Sequence, residues 1–403
     1  MKTCFTNFTL IDGTGAPPKT GLYMEVENKV ITYLGNHHPV ERDASVVEVD
    51  LGGRTVIPGL MDCHMHLAMG LKRDENTSIA ALQSGNEIDF AANVLINLNL
   101  LLKEGVTYVR DAGTIADLMP EMTLRKYVEE GWFLGSHMCL SGRIITMTGG
   151  HGGATGKLTA DGVEECTKAA RQMLAAGVDC LKTIGTGGVG TEGTEVDSYQ
   201  YEEEELAAIA REAHKVGKKV MAHCHGARGI KNALRAGIDS IEHCTLVDDE
   251  GIELLVKTGA YIVPTFCIQE WIMEKPVGIP DSMVRKELII HDKHIENFKK
   301  CYEAGVKIAC GTDGSPTFMP HGTAKEVAYM VQNSGMSNME GILCATRNAA
   351  DLIGVLDKYG TLEIGKVADF VVLGEDPLAD ITALQRPQQV YLGGKLVHDA
   401  AKA

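Results

Sequence analysis

Two histidines separated by one residue, His64 and His66, close an apolar run that reads as a β-strand. With period-2 alternation both imidazoles face one side and Met65 faces the other, so the pair offers two borderline-soft nitrogens to a single cation. Four further residues each stand a short, similar distance beyond a glycine that ends a polar or amphipathic run. Lys182 is five residues past Gly177, His223 six past Gly217, His243 six past Gly237 and Asp313 eight past Gly305. Taken singly, they have ordinary readings: a hydrogen-bonded core histidine, a lysine snorkelling from a strand end, an aspartate capping the next helix. Taken together, four imidazoles and a carboxylate crowded into one mouth would be costly to bury without a cation. The chemistry they point to is metal binding. Lys182 is the odd member, since an ammonium repels metal ions.

These residues converge only if successive strands deliver them to one place. The glycines supply the punctuation: Gly105, Gly131, Gly177, Gly217, Gly237, Gly259 and Gly305 each suit the left-handed position that closes a helix, and an apolar strand-like run follows at once. The stretches 163–176, 202–216 and 283–304 carry apolar residues near the 3.6 spacing of helices. Seven junctions, plus a strand over Thr55–Asp62, predict eight strands alternating with helices, an α/β chain closed as a (β/α)8 TIM barrel. A doubly wound dinucleotide fold would need a GxGxxG loop after an early strand; the Gly-rich run Gly185–Gly190 follows the fourth instead and reads as an active-site loop. The ends of the chain hold short β-like pieces with turn glycines and no helical run. They predict one small β-sandwich domain built from both termini, residues 1–54 and 360–403, around a barrel at 55–359.

The charge balance narrows the partners. A formal net charge of −16 argues against nucleic acid or an anionic membrane, both of which need a positive face, and leaves a small-molecule substrate. No stretch approaches the ~18 apolar residues of a membrane span, and the N-terminus lacks the apolar core of a signal peptide. Eleven scattered cysteines with no CxxC pair read as reduced thiols of a cytoplasmic protein.

The pattern of HxH on strand one, Lys182 on four, His223 and His243 on five and six and Asp313 on eight resembles the binuclear metal-dependent amidohydrolase superfamily. The loop SGRIITMTGGHGG, the stretch MAHCHGARGI and the tail TLEIGKVADFVVLGEDP are similar to its imidazolonepropionase-like and Xaa-Pro-dipeptidase-like (prolidase) branch. The resemblance implies two divalent ions, zinc by ligand type, bridged by a carbamylated Lys182. His64, His66 and Asp313 would hold the more buried ion, and His223 and His243 the outer one. A metal-bridging hydroxide would attack an amide or peptide bond adjacent to a free carboxylate, in a dipeptide such as Xaa-Pro or Xaa-Arg/Lys or in an N-acyl amino acid. Asp313 would serve as general base and then acid. A homo-oligomer is compatible with the family.

Secondary candidates follow. His225 alternates in phase with His223 and so also faces the mouth; the resemblance implies a role toward the developing oxyanion, against a plain hydrogen bond to a neighbour. The resemblance implies that His151 contacts the substrate carboxylate, and Arg143 is a weaker candidate because a guanidinium can bind one bidentately. His321 either caps a helix or lines the pocket, while His137 and Asp111 read as structural. Cys63, Cys224 and Cys244 should point away from the histidines beside them, and Glu202–Glu205 reads as the solvated first turn of a helix. Loops 142–157, 185–199 and 266–282 should shape the pocket, with Trp271 and Met273 as apolar lid or helix packing. A deaminase or an imidazolonepropionase-like cyclic-amide hydrolase on the same barrel is the alternative within enzymes. Mononuclear deaminases do not need Lys182 and carry a glutamate where this chain has Gly226. A non-catalytic scaffold is the alternative outside them, though such a chain should lack part of the metal set.

Overall fold

The computed structural model describes residues 2–38, 46–70, 85–152, 156–276 and 278–402. Positions 153–155 and 277, within two of the loops expected to shape the pocket, and 39–45, within the N-terminal β segment, lie outside the described residues. Eight parallel strands form the barrel: β1 (Leu60–Met65), β2 (Val106–Asp111), β3 (His137–Leu140), β4 (Cys180–Ile184), β5 (Lys219–Gly226), β6 (Ser240–Leu246), β7 (Tyr261–Val263) and β8 (Lys307–Ile308). Neighbours pair in chain order from β1 to β3 and from β4 to β8. The ring closes where the Cys63 amide donates to the Cys310 carbonyl (2.8 Å) and the Asp313 amide to the His64 carbonyl (2.7 Å). Between β3 and β4 the Asp179 amide donates to the Leu140 carbonyl at 2.7 Å. A short strand, Ile144–Thr146, then continues the third strand's path beside β4.

All seven helix-closing glycines have φ between 69° and 88°, the left-handed region where a Cβ would be strained. Helices Gly162–Ala175, Glu203–His214 and Asp281–Glu303 occupy the stretches whose periodicity predicts them. Most residues of the parallel strands are buried, as expected for a sheet covered on both faces. All eleven cysteines are buried free thiols. Among the described residues, no helix is long and apolar enough to cross a membrane.

The two ends of the chain share one mixed eight-stranded sheet with a sandwich-like core of its own. Its central pair is parallel, Lys2–Leu10 beside Val46–Pro58, and Phe370–Leu373 joins the latter antiparallel. Phe5 meets Phe370 and Tyr391 edge-on at 5.0 and 5.2 Å, so an aromatic trio ties the first strand to the last ones.

One expected element divides. The strand read over Thr55–Asp62 is two strands: Thr55–Pro58 pairs with Phe370–Leu373 in the terminal sheet, and β1 begins at Leu60. Gly59 makes the crossing, where its amide donates to the Asp369 carbonyl and the next amide to Gly105 of the barrel. A Cβ on Gly59 would lie 2.1 Å from Thr107 Oγ1, inside contact distance. Gly59→Ala is therefore expected to lower stability by about 1–3 kcal/mol, the usual range for overpacking. Thermal melting should show this loss. Adding Thr107→Ala should recover only part of it, because the Thr107 Cβ itself stands 2.8 Å from where the new methyl would lie.

Candidate metal centre and its cavity

At the C-terminal ends of the strands, one cavity of about 140 Å³ is lined by His64, His66, His151, Lys182, His223, His225, His243 and Asp313, with apolar walls including Ile184, Ile268 and Ile272. A larger cavity of about 540 Å³ lies beside the opening residues of β7 and β8, lined by Tyr302 and Arg347 among others, and none of the convergent histidines reaches it. Size does not locate the chemistry here; the donor atoms do.

Among the described residues, two groups of donor atoms each lie within 4.8 Å of one another: His64, His66 and Asp313, and His223, His225 and His243. His66 Nε2 is 3.0 Å and His64 Nε2 3.4 Å from Asp313 Oδ1. The rings of His223 and His243 lie 4.5 Å apart, and that of His243 is 5.1 Å from His64.

Four imidazoles are aimed by partners on their far nitrogens. Nδ1 of His64 meets Glu242 Oε2 (2.6 Å), that of His66 the Gly113 carbonyl (2.8 Å), that of His225 Thr245 Oγ1 (2.9 Å) and that of His243 Thr265 Oγ1 (2.7 Å). Each bond leaves Nε2 for the centre, the arrangement that orients histidine ligands around metals. The strand ends bend to achieve it: His243, Cys244, Thr265 and Asp313 all have φ between 58° and 70°. Non-glycine residues hold that conformation at some cost, and it concentrates at functional sites.

Burial, reinforced by the neighbouring imidazoles, pushes His223 and His243 well below the ordinary histidine range, so both are neutral and have a lone pair to donate. Burial also takes His225 to about 3 and His151 to about 4. At Asp313 burial acts upward, but His64 and His66 outweigh it and hold the carboxyl well below the usual carboxylate range. Burial lowers the Lys182 ammonium. Among the described residues, the buried atoms Lys182 Nζ, His64 Nε2 and His243 Nε2 have no hydrogen-bond partner. Buried polar atoms are normally satisfied, so three orphans facing one cavity mark a place for a bound group. The neutral imidazoles of His223 and His243, the ionised carboxylate of Asp313 and these orphans fit two divalent cations.

Not every expected residue is there. Arg143 does not line the cavity: its guanidinium is engaged by the Lys157 carbonyl, to which it donates, and stands 3.4 Å from Asp117. His321 sits at a helix start with φ 57° and also lies outside the lining. His137 pairs with Asp369 at 3.1 Å, at the end of the barrel that meets the terminal sheet. Asp111 accepts from the Leu67 and Gly113 amides. Cys63, Cys224 and Cys244 pack into apolar clusters, away from the donor atoms. The Glu202 amide donates to Glu205 at the helix start. Trp271 packs against Phe318 at 5.3 Å.

The supporting residues escape the spacing argument. Glu242 and Arg110 are fully buried between the strands, with Arg110 Nη2 2.9 Å from Glu242 Oε1. Arg110 Nε also donates to the Cys63 carbonyl, and Ser240 Oγ to Glu242 Oε1. Burial alone would raise Glu242, yet Arg110 and His64 hold it at about 2. Asp62 accepts from the amides of His64 and Thr312 and from Thr323 Oγ1, which joins β1 to the segment after β8. Strand alternation was the one available signal, since a charged residue on an otherwise apolar barrel strand needs a buried partner.

The Amidohydrolase family model matches residues 55–397 of the chain. The chain belongs to the amidohydrolase family. Ochratoxinase from Aspergillus niger is 29% identical over 421 residues, spanning 96% of this chain and 85% of its own. Imidazolonepropionase from Mesorhizobium japonicum is 27% identical over 360 residues, 80% of this chain and 78% of its own. The crystal structure of a Xaa-Pro dipeptidase with methionine bound in its active site superposes with a TM-score of 0.88 at 31% identity, covering 98% of this chain and 99% of that one. This amidohydrolase is accordingly a metal-dependent hydrolase of C–N bonds with a binuclear metal site.

Glu242→Gln should weaken metal binding about 10–100-fold, the usual cost of losing the carboxylate behind a ligating histidine. It should also lower stability by about 3–5 kcal/mol, because Arg110 would stay buried without its counter-charge. Competition with a chelator and thermal melting measure the two effects separately.

Proposed function

We propose that this amidohydrolase cleaves an amide or peptide bond adjacent to a free carboxylate, in dipeptides such as Xaa-Pro or Xaa-Arg/Lys or in N-acyl amino acids. The observation that carries this reading is His151. The stretch 149–152, after the third strand, brings its ring to 4.4 Å from that of His223, inside the cavity beside the metal cluster. Its Nδ1 lies 2.6 Å from Thr191 Oγ1. With the hydroxyl donating there, Nε2–H is left to donate to a substrate carboxylate. The likeness to a Xaa-Pro dipeptidase with a bound amino acid supports the same substrate class.

Two divalent cations, zinc by our reading, would supply Lewis acidity to the scissile carbonyl and make a water molecule acidic near neutral pH. His64, His66 and Asp313 would hold one cation and His223 and His243 the other, with Lys182 as a carbamate between them. Burial favours the neutral lysine amine that such a carbamate needs. Asp313 takes the proton of the attacking water and returns it to the leaving amine. With His225 Nδ1 accepting from Thr245 Oγ1, its Nε2–H donates to the oxygen that gains charge in the transition state. Its ring is also near enough to His223 and His243 to serve as a third ligand if Lys182 does not. The deaminase alternative loses ground at Gly226, where a Cβ would stand 2.7 Å from the Asp197 backbone and an acid side chain has no room. The buried thiols accord with a reducing, cytoplasmic setting.

Metal content of wild type and Lys182→Ala, prepared with zinc and bicarbonate, tests the site. About two ions per chain, falling together with activity in the variant, are expected. Two ions retained without Lys182 would assign the third ligand to His225, and a single ion unaffected by the change would sink the bridge. On a panel of dipeptides and N-acyl amino acids, His151→Ala should raise KM about 10–100-fold, the worth of a hydrogen bond to a charged group. The corresponding C-terminal amides should not feel that change; an equal effect on both would remove His151 from the carboxylate.

A further inference from the structure

Glu287 lines the same cavity but takes no part in the metal cluster. It sits one turn after Met283 on helix Asp281–Glu303, and both side chains reach the cavity wall. Glu287 is 1% exposed, and its Oε1 has no hydrogen-bond partner among the described residues. The basic groups near it on the helix are engaged elsewhere. Lys286 Nζ donates to the carbonyls of Gly188, Thr191 and Thr194, and His291 meets Glu270 at 3.0 Å and Asp292 at 3.1 Å. Burial pushes the Glu287 carboxyl up to about 8, so without a partner it stays largely protonated at neutral pH. A buried, unpaired carboxyl contributes nothing to packing that an amide or an aliphatic side chain would not. Pockets keep a few such polar groups to orient a ligand.

We infer that Glu287 recognises a positive charge on the substrate, so that the cavity selects molecules carrying an ammonium or guanidinium group against helix Asp281–Glu303. A cation at that wall ionises the carboxyl and supplies the missing counter-charge. The chain's net charge of −16 draws such molecules toward the protein. Within the proposed function, on which this inference rests, two sources of the charge exist. One is the α-ammonium of a dipeptide; the other is a C-terminal lysine or arginine side chain.

Turnover of matched pairs by wild type, Glu287→Gln and Glu287→Leu separates these sources. Met-Pro against N-acetyl-Met-Pro reads the α-ammonium, and Ala-Lys against Ala-norleucine reads the side chain. Wild type should favour the charged member of at least one pair by tenfold or more in kcat/KM, and that ratio should collapse in both variants. The pair that collapses names the source. Equal turnover of both members of each pair, or a preference that survives both substitutions, overturns the inference. Calorimetric binding of L-argininamide against N-acetyl-citrullinamide needs neither turnover nor a carboxylate. A tenfold difference that vanishes in Glu287→Gln upholds Glu287 even if no dipeptide is cleaved, in which case the proposed function alone fails. Both variants should melt at or above the wild-type temperature, since each removes an unsatisfied buried carboxyl.

Discussion

The side chain of Glu242 is wholly buried, and both of its oxygens are engaged: one by Arg110 and Ser240, the other by His64. Removing two charges from water costs several kcal/mol per ion, and the attraction between them offsets that only when the remaining hydrogen-bond capacity is filled. Here Arg110 also donates to the carbonyl of Cys63, next to His64. Strands β1, β2 and β6 are thus joined through the barrel interior by one network, and its upper end is a ring nitrogen of a residue in the metal cluster. The position of His64 depends on this pair, and through Asp313 so does that of His66.

The rest of the mouth follows from the same need to aim nitrogen lone pairs inward. Backbone carbonyls and threonine hydroxyls take the outer nitrogens of His66, His225 and His243. The backbone at His243, Thr265 and Asp313 adopts left-handed φ values that a regular strand would not hold. Strain at three strand ends and, among the described residues, three buried polar atoms without a partner are costs that a bound group would offset. The barrel's opposite end carries the contacts to the terminal sheet, including His137 with Asp369 and the crossing at Gly59. That division keeps the mouth free to serve the reaction.

The cavity walls differ in character from the cluster. Isoleucines supply most of the apolar lining, His151 reaches in from the stretch after the third strand, and Glu287 supplies a carboxyl from a helix. Lys286, next to Glu287 in sequence, turns the other way and pins the loop around Gly188–Thr194 through three carbonyls. Adjacent residues of one helix therefore do two jobs, one holding a loop and the other facing the space it encloses.

Local rules made the barrel and the metal cluster legible in the sequence. A glycine at each helix end imposes a left-handed residue, strand alternation then sorts side chains by face, and both operate over a few residues. From them follow the seven junctions, the convergence of His64, His66, Lys182, His223, His243 and Asp313, and the outward packing of Cys63, Cys224 and Cys244. What the sequence left undecided depends on residues far apart in the chain. Spacing alone could not show that Thr55–Pro58 pairs with Phe370–Leu373 while Leu60 opens the barrel, nor that Arg110 meets Glu242 across 132 positions. It could not send Arg143 to Asp117 and away from the cavity, or leave Glu287 Oε1 inside it without a partner among the described residues. Hydrogen-bond partners and burial are properties of the closed barrel, and a charged side chain acquires its role only when tertiary packing decides what stands opposite it.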